Sequence, residues 1–221
     1  FVMLLNCIEN NEELLNIPGL NCPELGIANP PDNLGNIDQN LYPQQGRHIF
    51  SLEKTGENIV WLPFQTRRGC PLNCSYCSSP LIEGRATRKR SIGSVIDALS
   101  EFSSGGFNHF FFVDNTFNLP PGYAKELCDQ IMNNHLNITW RCILYPGKVD
   151  KELVEKMAQS GCVEVSLGME SGSDNMLKKM NKQYRASDVS YESDLLQAVG
   201  IRRMGFLLFG GPGETRQSVL E

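Results

Sequence analysis

Residues 67–77 read RRGCPLNCSYC, and within them Cys70, Cys74 and Cys77 follow a C-x3-C-x2-C spacing. Thiolates are metal ligands, and three of them in one short loop point to a shared metal centre more than to cross-links. Two kinds of centre suit such a loop. Structural zinc takes four protein ligands, and here would have to recruit His48, His109 or Cys162 as the fourth. An iron–sulfur cluster normally takes four Cys, so three would leave one iron open to a non-protein ligand. The other five cysteines, Cys7, Cys22, Cys128, Cys142 and Cys162, are scattered singly along 221 residues, too sparsely for a disulfide scaffold. Such usage suits a reducing cytosol, and a cytoplasmic location is expected.

The elements that must position this loop form a strand-helix rhythm. From residue 58 onward, short apolar runs alternate with helical ones, the pattern of βα units and a parallel sheet. The strands are expected at Ile59–Phe64, Phe107–Val113, Ile138–Tyr145, Cys162–Met169 and Ile201–Phe209. Ser91 caps a helix that buries Ile92, Val95, Ile96, Leu99 and Phe102 and ends at Gly105. Pro120 and Pro121 open a second, with Ala124, Leu127, Cys128 and Ile131 on one face. Asp150 caps a third over Leu153, Val154, Met157 and Ala158. A fourth helical stretch, 173–199, is interrupted at 181–185. The class is therefore α/β, with five parallel units closing toward a barrel. The cysteine loop directly follows the first strand, at the strand end where barrels of this kind place their chemistry. In the fourth strand, alternation sets Val163, Val165, Leu167 and Met169 on one face and Glu164, Ser166, Gly168 and Glu170 on the other. A polar inner face predicts a lumen that holds a polar ligand.

This combination resembles the radical S-adenosylmethionine (radical SAM) superfamily: the three-Cys spacing, Tyr76 just before the last Cys, and the loop's place after the first strand. The resemblance covers residues 58–221 and implies a partial (β/α) barrel of the radical SAM type, with five of about six units visible. It implies that Cys70, Cys74 and Cys77 hold a [4Fe–4S] cluster whose open iron is chelated by the amino and carboxylate groups of S-adenosylmethionine. The run VSLGMESGSDNMLKKMNK, residues 165–182, is similar to the family's fourth-strand segment and gives Ser166 and Glu170 as cofactor contacts. The run FLLFGGPGET, residues 206–215, is similar to its fifth-strand glycine motif and gives Gly210 and Gly211 beside the adenine. Asp114, at the end of the second strand, and Arg141, on the third, are implied near the methionyl amino group and carboxylate. The chemistry belongs to the cofactors, so no catalytic acid or base is assigned.

Residues 16–20 resemble the junction at which a cobalamin-binding domain precedes a radical SAM core. Residues 1–20 are then the tail of such a domain, 21–57 a Pro- and Gly-rich strap, and 58–221 a core that continues past its last residue. Cobalamin would come with the missing upstream domain, and methylation of carbon or phosphorus is the outcome implied for that subclass. A radical SAM methylthiotransferase ranks second, since it would need three further cluster cysteines upstream and Cys7 and Cys22 fall short. A zinc-stabilised binding module is the non-enzymatic alternative, and likeness to coproporphyrinogen-oxidase-like enzymes rests on fold alone. The family implies an electron donor such as flavodoxin or ferredoxin, and a small-molecule or peptide substrate. A formal charge of −5 argues against nucleic acid, and the longest apolar runs are too short to cross a membrane. The one basic concentration is Arg67, Arg68, Arg85, Arg88, Lys89 and Arg90, around the cysteines.

Overall fold

The computed structural model describes residues 2–10, 14–17, 19–29 and 60–221. The chain divides into two compact units, residues 1–41 and 42–221. In the first, helix α1 (Val2–Glu9) precedes a two-stranded antiparallel hairpin of β1 (Asn21–Cys22) and β2 (Ile27–Ala28). Its turn uses Pro23 and then Gly26 at φ +67°, a left-handed conformation that costs glycine little. Part of the expected strap is thus a folded hairpin. Residues 30–57 of the strap, and Ile59 at the start of the expected first strand, lie outside the described residues.

The second unit follows the expected rhythm. After β3 (Leu62–Phe64) come β4 (Arg67–Arg68), α2 (Ser79–Ile82), β5 (Arg88–Lys89), α3 (Ile92–Ser104) and β6 (His109–Phe112). Then follow α4 (Pro121–Asn133), β7 (Thr139–Leu144), α5 (Lys151–Gln159), β8 (Cys162–Glu170), α6 (Asp174–Lys179), α7 (Ala186–Ala198), β9 (Arg202–Leu207) and α8 (Arg216–Leu220). Five strands form one sheet in the order β3-β6-β7-β8-β9, all parallel, while β4 and β5 pair as a separate antiparallel ribbon. Helix starts are capped as read: Ser91 Oγ accepts from the amide of Ser94 at 3.2 Å, and Asp150 Oδ1 from that of Leu153 at 2.8 Å. Both caps satisfy amides that a helix cannot bond internally. No described helix is long and apolar enough to span a membrane.

One face of the sheet is the core. Leu62, Phe64, Phe110, Phe112, Trp140, Cys142, Leu144, Val165 and Leu167 bury there against Val95 and Leu99 of α3, Leu127 and Ile131 of α4, and Leu153 and Met157 of α5. Each large side chain so buried contributes about 1.5–3 kcal/mol. The Trp140 indole N–H, fully enclosed, donates to the Ser160 carbonyl at 2.8 Å, so burial leaves it partnered.

The opposite face is layered by the register. Pro63, Phe111, Arg141, Glu164 and Arg202 lie side by side across the five strands, and Ile143, Ser166 and Met204 form a layer nearer the strands' C-terminal ends. The alternation expected for the fourth strand holds over Glu164–Leu167 and fails at both ends. Between Trp140 and Arg141 the register slips, so Trp140 pairs with Cys162 and Arg141 with Glu164. Val163 is the extra residue of this bulge, which returns Cys162 to the core face. A second slip follows Leu167, and Glu170 turns to φ +59°.

Candidate active site

The cysteine loop is closed at its base by contacts among its own residues and the end of β6. The β4–β5 ribbon zips its stem, and the Cys70 amide donates to the Gly84 carbonyl at 3.0 Å. Glu83 accepts from the Gly69 amide at 3.0 Å and from Asn115 Nδ2 at 2.5 Å, tying the stem to the end of β6. Gly69, at φ +89°, lies where a Cβ would strike the Ala86 carbonyl oxygen, so only glycine lets the two strands of the stem approach. Asp114 secures the other side: its carboxylate accepts from the Thr66 amide at 2.7 Å, the Thr66 hydroxyl at 2.5 Å, the Arg67 amide at 3.0 Å and Arg67 Nε at 3.2 Å. Asp114 is fully buried and Arg67 nearly so. Burial pushes the Asp114 carboxyl up, while the Arg67 charge and these hydrogen bonds pull it down.

The tip of the loop is fastened to the connection between α6 and α7. The Ser75 amide donates to the Met180 carbonyl at 3.1 Å, the Ser75 hydroxyl to the Lys179 carbonyl at 3.3 Å, and Asn181 Nδ2 to the Asn73 carbonyl at 2.6 Å. This brings Lys182 beside the Cys74 thiol. Its side chain is 4% exposed and its ammonium lies 3.1 Å from Glu170 Oε1. The same oxygen accepts the Tyr76 hydroxyl at 2.6 Å. The rings of Tyr76, Tyr145 and Tyr184 surround the ammonium at 5.2, 5.5 and 5.8 Å, a cage that favours a cation.

All three loop cysteines are free thiols, Cys70 buried and Cys74 and Cys77 half-buried. Burial pushes the Cys70 thiol up, and the neighbouring Cys74 and Cys77 add to the rise. Burial likewise raises Cys74, but Lys182 draws it down through its charge and a hydrogen bond. Deprotonating Cys70 and Cys74 is therefore unfavourable until a cationic centre takes their charge. Among the described residues no three His, Cys, Asp or Glu side chains converge on a single-ion site. A set of soft sulfur donors spread along one anchored loop suits an iron–sulfur cluster, which Cys70, Cys74 and Cys77 would hold.

The other expected contacts divide. Tyr76 and Glu170 are brought together at the loop. Ser166 is buried on the polar face of β8, one layer above Glu164. Gly211 packs on the helix behind the site, where a Cβ would meet Met176 Cε at 3.1 Å, and Gly210 takes φ +82° with its amide donating to Glu214 Oε2 at 2.7 Å. Asp114 instead lies under the stem, with both oxygens committed to Thr66 and Arg67. Arg141 pairs with Glu164 at 3.6 Å and lies over the rings of Trp61 and Phe111, a layer below Ser166. The cation at the cysteines is Lys182, which the sequence analysis quoted within its run but did not single out.

A family model of the radical SAM superfamily matches residues 64–221. An uncharacterised methyltransferase of Pyrococcus horikoshii is 28% identical over 99% of this chain, which covers 48% of that protein. A ribosomal protein uS12 methylthiotransferase of Clostridium acetobutylicum is 27% identical over 80% of this chain and 41% of that protein. Among solved structures, the radical S-adenosylmethionine methyltransferase TsrM of Kitasatospora setae, with cobalamin and a [4Fe–4S] cluster bound, is 26% identical over 72% of this chain and 32% of that one, with a TM-score of 0.68. Bound to tryptophan and an S-adenosylmethionine analogue, TsrM superposes on 98% of this chain and 45% of its own at a TM-score of 0.81 and 22% identity. The chain thus spans about half the length, or less, of the relatives it matches. Since the matched span takes in the cysteine loop and the parallel sheet from the last residue of β3 onward, the chain belongs to the radical SAM superfamily.

Proposed function

We propose that this chain is the cofactor-binding core of a radical SAM enzyme, and that the protein containing it is a cobalamin-dependent methyltransferase. The observation that carries the reading is the pairing of Glu170 with Lys182 beside Cys74. One carboxylate and one enclosed ammonium match, in sign, the amino and carboxylate groups of an amino-acid zwitterion. Cys70, Cys74 and Cys77 would ligate three irons of a [4Fe–4S] cluster, and the amino-acid end of S-adenosylmethionine would take the fourth. When bound, this pair of cofactors supplies the one-electron cleavage chemistry of the family.

The chain's own residues bind and orient. Lys182 would hold the cofactor carboxylate and Glu170 its amino group, while Tyr76 keeps Glu170 in place through its hydroxyl. Tyr145 and Tyr184 exclude water around the ammonium, which strengthens each charged contact. Gly210 and Gly211 leave room for the adenine to lie against backbone, and Ser166 offers a hydroxyl from the sheet. We assign Asp114 to the loop stem and Arg141 to the ion-paired layer below rather than to the cofactor. Residues 1–20 are read as the end of an upstream cobalamin domain and 21–57 as the strap between the two. The reductant would be a flavodoxin- or ferredoxin-like carrier, the substrate a small molecule or peptide, and the location cytoplasmic.

The test is anaerobic reconstitution of the full-length protein with iron, sulfide and cobalamin. Four irons, one cobalamin and methyl transfer from S-adenosylmethionine are expected. Eight irons and a second cluster would assign it to the methylthiotransferases, which also occur among its relatives. A colourless protein retaining zinc would make it a binding module.

A further inference from the structure

We propose that the outer side of the cysteine loop is the docking surface for an acidic one-electron carrier protein, an inference that rests on the cluster assignment above. The apolar centre of this surface is on α2. Leu81 and Ile82 are 85% and 78% exposed, more than any other large apolar side chain described. They follow Cys77 by four and five residues, so less than about 18 Å of even fully extended chain separates them from the third thiol. An isolated exposed leucine needs no explanation, but an adjacent pair beside a candidate redox centre forms a patch.

The rim is basic. Residues 67–90 carry six cations, Arg67, Arg68, Arg85, Arg88, Lys89 and Arg90, against the single carboxylate of Glu83, on a chain whose net charge is −5. Arg67 and Arg90 are buried and serve the fold. Arg68, Arg85 and Lys89 are exposed. Glu83 is half-buried, and one of its oxygens accepts from the Gly69 amide and from Asn115 Nδ2. Beside the stem, a cavity of about 580 Å³ is lined by Pro71, Leu119, Pro120 and Pro121 together with Lys89 and Lys148. Exposed apolar side chains with exposed cations close by in the chain are what steers a negatively charged protein and then seats it. Against a net charge of −5, this local reversal of sign favours approach on the side of the cysteine loop. The carrier leaves oxidised by the single electron it delivers, and no proton or atom need cross the interface.

The experiment measures binding of purified, 15N-labelled oxidised flavodoxin to full-length reconstituted protein by line broadening, with iron content and dithionite reduction followed in parallel. The apolar change Leu81→Ser with Ile82→Ser, and separately the charge change Arg85→Glu with Lys89→Glu, should each raise Kd at least about tenfold. Raising salt from 50 to 300 mM should weaken the wild type and narrow its gap to the charge variant. A control pair on other elements, Lys151→Glu with Arg216→Glu, should change Kd less than threefold. Iron content and reduction by dithionite, which needs no docking, should stay at wild-type levels in the apolar variant. Wild-type Kd in both test variants overturns the proposal while leaving the cluster reading intact. So does an apolar variant that changes only the protein's sedimentation, which would make the patch a contact between copies. A protein that takes up no cluster overturns the underlying reading instead.

Discussion

Replacing Lys182 by Met keeps most of the side chain's volume and removes its charge, which isolates the role of the ammonium. In the native arrangement that ammonium is 4% exposed, 3.1 Å from Glu170 and caged by three tyrosines. A charge-assisted hydrogen bond of this kind contributes about 1.5–3 kcal/mol. If Lys182 passes that bond to the carboxylate of S-adenosylmethionine, its loss raises Kd about 10- to 150-fold. Glu170, left with only the Tyr76 hydroxyl, becomes an underpaired carboxylate at 12% exposure, and stability falls as well. The three thiols do not depend on Lys182 for their position, because Glu83, Gly84 and the carbonyls of residues 179 and 180 hold the loop. Iron content should therefore stay at the wild-type level. The assay is anaerobic equilibrium dialysis of labelled S-adenosylmethionine against reconstituted Lys182→Met, with Lys182→Arg recovering most of the affinity. Affinity within threefold of wild type in an iron-loaded Lys182→Met protein would refute the reasoning.

Three further outcomes follow from the same geometry. Asp114→Asn weakens a fully buried contact to Arg67 and should cost about 3–5 kcal/mol in urea unfolding, with poorer iron uptake but normal cofactor affinity in the fraction that loads. Gly69→Ala forces a Cβ into the Ala86 carbonyl at φ +89° and should abolish iron incorporation, measured per folded protein, while leaving the helical circular dichroism in place. Glu192 is buried on α7, accepts from the Val149 amide at 2.9 Å, and burial pushes its carboxyl up to about 7 from 4.5. Folding then takes up a proton between those values, so this group's contribution is fully present below pH 4.5 and lost as pH rises toward 7. Glu192→Gln should gain about 3 kcal/mol relative to wild type between pH 5 and pH 8 in urea titrations.

The sheet was legible because short apolar runs alternate with helical ones, several of them bounded by glycine or proline, as at Gly161, Gly200 and Pro146, and the caps at Ser91 and Asp150 marked the helices between. The cysteine loop was legible from its spacing, and the resemblance to a family pattern singled out Tyr76 and Glu170, which the fold sets within hydrogen-bonding distance of each other. What escaped depended on contacts between distant segments. Lys182 reaches the Cys74 thiol only because the helical stretch breaks at Met180 and the chain folds back under Asn73 and Ser75, and no local periodicity reports such a return. Asp114 stands at a strand end, where a ligand contact is a fair expectation, yet two main-chain amides and a buried arginine claim its oxygens first. Arg141 is expected near the methionyl carboxylate, and the bulge at Val163 sets Glu164 opposite it, where the two pair at 3.6 Å. A bulge hides in an alternating strand, since both flanks keep their period while the parity between them changes.

The claim on which all else depends is that Cys70, Cys74 and Cys77 carry a cluster with one open iron. Electron paramagnetic resonance of the anaerobically reconstituted, dithionite-reduced chain measures it directly. The account predicts a single [4Fe–4S] signal that changes when S-adenosylmethionine is added and disappears when any one of the three cysteines is replaced by Ala. A chain without that signal, or with one that is indifferent to added S-adenosylmethionine, would contradict it.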